Sequence, residues 1–156
     1  MAAIDIGGSA VNGDSYMGNG YTCLDLTNPA NASGKITSVS IYGNSDYGTK
    51  GVIGVFYGSG NSWTCRDYHI MTSQVSAGTV GTITVDLDVQ VGDILGLYCN
   101  SGWFELNTTG GSGVLYAVGN KTIGGAATFS LNSGYTMRMS GSGETVVTFI
   151  PQITIF

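Results

Sequence analysis

Clusters of Gly, Asn, Ser and Asp punctuate this chain from end to end, about every 8–12 residues, and short β-branched and aromatic runs fill the intervals. Glycine alone accounts for 26 of 156 residues, more than double its usual share of about 7%. Such punctuation leaves no room for a long helix. No stretch shows apolar residues at i, i+3, i+4 and i+7 with a cap and few glycines, so no significant helix is expected. Strands are expected at 2–6, 21–26, 35–42, 51–58, 62–71, 79–87, 94–99, 103–108, 113–118, 126–131, 135–140 and 144–155. About 10–12 short strands joined by polar turns imply an all-β chain, a two-sheet β-sandwich of jelly-roll type. The length suits a single domain over 1–156. The Gly/Ser/Asn stretch at 7–20 reads as part of an N-terminal arm, 1–20, carrying its own short strand.

The strands are of two kinds. In KITSVSIYG the residues alternate, and Val39 and Ile41 are core candidates. In GVIGVFYG, DILGLYC and GVLYAVG both faces are apolar. Such strands need cover on both sides, from a loop, an extra strand or another subunit. Charged residues make up only 10%, against about 25% in an ordinary soluble domain. That scarcity also favours surfaces covered by neighbours. Net charge is −5, and Lys35, Lys50, Arg66, Lys121 and Arg138 are scattered. Phosphate neutralisation needs clustered cations, so a nucleic-acid partner is not expected. No apolar run approaches the roughly 20 residues of a membrane span.

The first residues, Met1-Ala-Ala-Ile-Asp-Ile, lack the basic and apolar regions of a signal peptide. Export is therefore expected after loss of a leader or by another route such as lysis. The last twelve residues, TVVTFIPQITIF, form a strand-like run after Glu144. Pro151 cannot donate to a ladder and suits an edge or a joint between two short strands. Its first half is expected to close the chain's own sheet and 150–156 to contact another subunit, with Phe149, Ile153, Ile155 and Phe156 as interface residues. No interface role is assigned to Ile4.

Few residues suggest chemistry. Cys65, Asp67 and His69 occupy i, i+2 and i+4 of one expected strand, hence one face. Neighbours on such a face stand roughly 6.5–7 Å apart, beyond direct hydrogen-bond reach. They read as a polar patch. Asp86, Asp88 and Asp93 are weak Ca²⁺ candidates without the spacing of a converging loop. No spacing supports a carboxylate pair drawn from Glu105 or Glu144 with an Asp. No catalytic residue, cofactor or resident metal is expected, and the chain does not read as an enzyme. Cys23, Cys65 and Cys99 lack a CxxC pair and read as buried free thiols, or as one disulfide plus one thiol. Asn31, Asn107 and Asn120 begin Asn-x-Ser/Thr triplets of the kind that arise by chance in a chain rich in these residues. Trp63, Trp103 and Tyr47 sit in or beside turns. They are candidates to plug the core, anchor an interface or stack on sugar rings.

The segment VDLDVQVGDILGLYCNSGWFEL, 85–106, with ITSVSIYG and GVFYGSGNSWTCRD before it, resembles Gly-rich jelly-roll β-sandwich proteins of phage and metagenomic origin, and also carbohydrate-binding modules. The resemblance spans about 35–118. It implies a structural role on a virion or in the extracellular space and brings no catalytic residues. Two functions follow as expectations. One is a self-assembling structural subunit, a phage capsid, tail or decoration protein or a filament or tube subunit, whose partner is a copy of itself. The alternative is a carbohydrate-binding module or adhesin recognising surface glycans.

Overall fold

A computed structural model describes residues 2–44 and 51–146. Fourteen strands run in the order β1 (Ala3–Gly7), β2 (Ser15–Met17), β3 (Tyr21–Asp25), β4 (Gly34–Tyr42), β5 (Val52–Ser59), β6 (Ser62–Ile70), β7 (Val80–Val89), β8 (Ile94–Cys99), β9 (Phe104–Asn107), β10 (Val114–Val118), β11 (Ala127–Thr128), β12 (Ser130–Asn132), β13 (Thr136–Met137) and β14 (Met139–Glu144). Among the described residues there is no helix. The strands expected at 35–42, 51–58, 62–71, 79–87 and 94–99 appear as β4 to β8, within two residues at each end.

Three sheets form. A four-stranded sheet has the order β1-β14-β4-β7, a seven-stranded sheet β11-β6-β5-β8-β3-β10-β12, and a three-stranded sheet β13-β9-β2. The two outer strands of the seven-stranded sheet, β11 and β12, are separated in sequence by Phe129 alone. β11 pairs with β6 and β12 pairs with β10, so one bent segment, 127–132, joins the sheet's two edges. The sheet thus curls into a nearly closed barrel, a curvature absent from the sequence-based expectation.

This closure explains the strands that are apolar on both faces. Along β8, Leu95 and Leu97 face the four-stranded sheet and pack with Ile4, Ile6, Ile36, Val39 and Leu87 in the larger core. Ile94 points the other way, into a second core with Leu24, Phe56, Trp63, Leu115 and Phe129. β3, β5 and β10 divide their side chains in the same manner, with Cys23, Val55 and Val114 in the first core and Leu24, Phe56 and Leu115 in the second. The second core is small and tight. Phe56 and Phe129 meet edge to face at 6.4 Å. A Cβ on Gly96 would lie 2.7 Å from the Phe56 ring and 2.6 Å from Leu24, and one on Gly54 2.6 Å from the Phe56 ring. The glycines of VIGVFYG and ILGLYC are therefore the space into which Phe56 fits.

Both edges of the four-stranded sheet are partly occupied by the chain's own groups. On the outer side of β1, Asn31 Oδ1 accepts from Asp5 N at 2.9 Å and Asn31 Nδ2 donates to Ala3 O at 3.3 Å. Gly7 N donates to Asn28 O, and Asn28 Nδ2 donates back to Gly7 O. Two asparagines thus occupy main-chain groups that a foreign strand would use. On β7, Asp88 N donates to the Asp67 carboxylate at 2.9 Å.

The segment expected as an arm is bonded to its own chain. It holds β2, an unanticipated strand that pairs with β9, and Asp14 accepts from both Thr108 N and Thr108 Oγ1. The strand expected at 135–140 is divided, with Arg138 between β13 and β14. β14 lies between β1 and β4, and Thr145 N donates to Ala2 O, so the run after Glu144 begins on the home sheet. Phe149, Pro151, Ile153, Ile155, Phe156 and the rest of 147–156 lie outside the described residues.

Candidate functional site

β9 carries the residues of interest. Its register places Tyr16 of β2 opposite Glu105, and Trp103 immediately precedes the strand. Tyr16 lies parallel on Trp103, with ring centroids 4.4 Å apart and planes 4° from parallel. The pair remains open to solvent, Tyr16 51% and Trp103 41% exposed. Trp63 behaves otherwise. It is buried in the second core, and its Nε1 donates to Gly60 O at 2.9 Å across the Gly60-Asn61 turn. Of the two tryptophans suggested for stacking, the fold spends one as a core plug and leaves one at the surface. Tyr47 lies outside the described residues.

Polar groups are held at the strand positions next to the stacked pair. The Glu105 carboxylate is buried and held on both oxygens, accepting from Gly13 N at 3.2 Å and from Asn44 Nδ2 at 2.7 Å. Asn44 N donates to Trp103 O, and Arg138 N donates to Glu105 O. Among the described residues, two buried side-chain atoms lack a hydrogen-bond partner, Arg138 Nε and Asn100 Oδ1. One belongs to the residue bonded to Glu105, the other to the turn leading into Trp103. Buried orphans of this kind are rare in folded proteins, and each calls for an explanation such as a ligand group. Tyr16 and Arg138 were not recognised from sequence. SYM at 15–17 is a short strand-like triplet inside the Gly/Ser/Asn stretch, and it is the one signal that marked the first.

The other candidates do not assemble. A bulge in β6 sets Val55 opposite Asp67 but Phe56 opposite Cys65, so Cys65 and Asp67 leave opposite faces. The alternation expected for Cys65, Asp67 and His69 fails at that bulge. The Cys65 thiol packs against the second core, and burial pushes it up to about 11. The Asp67 carboxylate is taken by Tyr68 N and Asp88 N. The Cys23 thiol is raised further, first by burial and then by Cys99, and the Cys99 thiol is pushed by burial to about 11. All three thiols are free. Asp86 and Asp88 share Lys35, at 3.1 and 2.7 Å. Asp93 faces elsewhere. It is buried, chelated by Arg66 Nε at 2.6 Å and by a second guanidinium nitrogen at 3.1 Å, and it also accepts from Gln90 N. The Arg66 guanidinium in turn lies 4.5 Å over the Tyr57 ring. The three aspartates suggested for Ca²⁺ therefore do not converge, and no described group of three His, Cys, Asp or Glu forms a metal-ligand cluster. Of the glutamates weighed for a carboxylate pair with an Asp, Glu105 has both carboxylate oxygens held by Gly13 N and Asn44 Nδ2, and Glu144 stands opposite Lys35, the residue that bonds Asp86 and Asp88.

Comparison with protein-family models, curated proteins and solved structures finds no match.

Proposed function

We propose that this chain is a glycan-binding β-module that presents the Tyr16–Trp103 stack to a sugar ring. The observation that carries this reading is the exposed, parallel aromatic pair, with the fixed carboxylate of Glu105 directly opposite Tyr16 in the strand register. Aromatic side chains give a flat apolar surface at low entropic cost, and a few fixed polar groups then orient the ligand. Contiguous exposed apolar surface is a common mark of a binding site. A glycan array tests the reading. Binding by the intact chain is expected, and Trp103→Ala is expected to weaken each hit by about fivefold or more, the loss of one stacked ring being worth roughly 1–3 kcal/mol by analogy with base stacking. Unaltered binding by Trp103→Ala would remove the platform from the site.

The self-assembling structural subunit is the second reading. Low charge still favours it, as do the exposed side chains Val118 (72%), Ile123 (62%) and Ile70 (55%). The strands apolar on both faces no longer do, because the chain covers them itself. Nor does strand addition at β1, whose edge Asn28 and Asn31 occupy. In this reading the four-stranded sheet and the facing wall of the barrel are the two layers of a jelly roll, set in a virion or an extracellular filament. Light scattering at micromolar concentration distinguishes it, since a stable monomer would overturn it.

A further inference from the structure

The outer face of the four-stranded sheet carries a shallow groove of about 680 Å³, lined by Asp5, Ser9, Asn28, Ser40, Val80 and Ser140 among others. We propose that this groove is a second subsite, which takes the continuation of a neutral oligosaccharide whose end ring stacks on Tyr16 and Trp103. The proposal rests on the glycan reading above and adds the ligand's class and length.

Its chemistry is that of a polyhydroxyl partner. The walls offer hydroxyls, an amide and main chain at Gly7 and Gly8, and no lining residue is a cation. Asp5 is the single charged lining residue, so an acidic sugar is disfavoured. Ser40 and Thr82 exchange a hydrogen bond at 3.1 Å, which holds one hydroxyl in place, and Asn28 Nδ2 is fixed on Gly7 O, which leaves Asn28 Oδ1 oriented as an acceptor.

A short path along the chain's own strands connects the groove's lining with the stack. Ser140 lines it, Arg138 precedes Ser140 by two positions, and Arg138 N is bonded to Glu105 O. Glu105 is two residues from Trp103. Two strand steps, one cross-strand step and two further steps put the groove within about 20 Å of the stack. Arg138 itself, whose buried Nε has no partner among the described residues, is one of the steps on that route. The segment from Gly8 to Gly13 follows the same course, lining the groove at Gly8 and Ala10 and donating to Glu105 Oε2 from Gly13 N.

Calorimetric titration with β-linked glucose and N-acetylglucosamine oligomers of one to six units tests this. Affinity is expected to rise at least about tenfold between dimer and hexamer as the second subsite fills. Ser140→Trp fills the groove from an outward-facing position, and it is expected to return the hexamer to the dimer's affinity while dimer binding persists. Ser9→Trp, in the loop, serves if Ser140→Trp does not fold. Affinity that is flat with length, or a hexamer indifferent to both variants, overturns the groove while the stack stands. No binding by either dimer or hexamer overturns both.

Discussion

Replacing Phe56 with alanine is expected to lower the unfolding free energy by about 3–5 kcal/mol. A domain of this size holds only about 5–15 kcal/mol in total, so the variant should lose a large share of its stability. The reason is the closed sheet. Phe56 is fully buried, touches Phe129 edge to face, and fills the room left by Gly54 and Gly96. The barrel wall around it is tied by main-chain pairing on both sides, so it has little freedom to collapse into the hole. The converse change is also informative. Gly96→Val would press methyl groups against Leu24 and the Phe56 ring, at an expected cost of about 1–3 kcal/mol or more. Urea unfolding followed by far-ultraviolet circular dichroism measures both. Losses under about 1 kcal/mol would mean that the barrel interior is not packed as described.

Asp25→Ala is the second large effect. Asp25 has no solvent exposure and ties β3 to β13. It accepts from Thr27 N at 3.0 Å, from Met137 N at 3.0 Å and from Thr136 Oγ1 at 3.1 Å. Alanine strands two main-chain donors, and each buried orphan costs about 1–3 kcal/mol, so a loss of about 3 kcal/mol is expected. The same carboxyl makes stability depend on pH. Burial raises its pKa above the ordinary carboxylate value, and the hydrogen bonds from Thr27, Met137 and Thr136 only partly offset this. A raised value means that the folded state holds the proton more tightly than the unfolded chain. The contribution is therefore complete below the ordinary value of about 3.9 and is lost as pH rises through the raised one. Asp25→Asn stays neutral at every pH. The stability gap between the original chain and Asp25→Asn is expected to narrow as pH increases from 4 towards 7. A gap that widens over that range would contradict the burial of an ionisable group here.

The strand pattern was legible because turn chemistry and β-branched runs are local. Gly60-Asn61 marks the β5–β6 hairpin in the sequence itself, and β4 announces its buried face through Val39 and Ile41. Curvature was not legible. Nothing in VIGVFYG or ILGLYC says whether a second apolar face meets another subunit or the inside of its own curled sheet. The small residues facing Phe56 decide that, and only through contacts far apart in sequence. The β6 bulge at Arg66 escaped for a similar reason, since one extra residue reverses every side chain beyond it. At the candidate site, Trp103 was visible as an aromatic residue after a turn. Tyr16 was hidden in a stretch whose composition suggested an arm, and Arg138 gained its place only when one expected strand split around it.

The two tryptophans provide an internal control for glycan binding at the stack. Each indole N–H gives its own signal in a ¹⁵N-correlated spectrum, and Trp63 is buried and bonded to Gly60 O while Trp103 is exposed against Tyr16. Titration with a β-linked N-acetylglucosamine or glucose hexamer is expected to move the Trp103 signal along a saturable curve and to leave the Trp63 signal in place. A Trp103 signal that stays still for both hexamers, or moves only together with Trp63, would contradict glycan binding at the Tyr16–Trp103 stack.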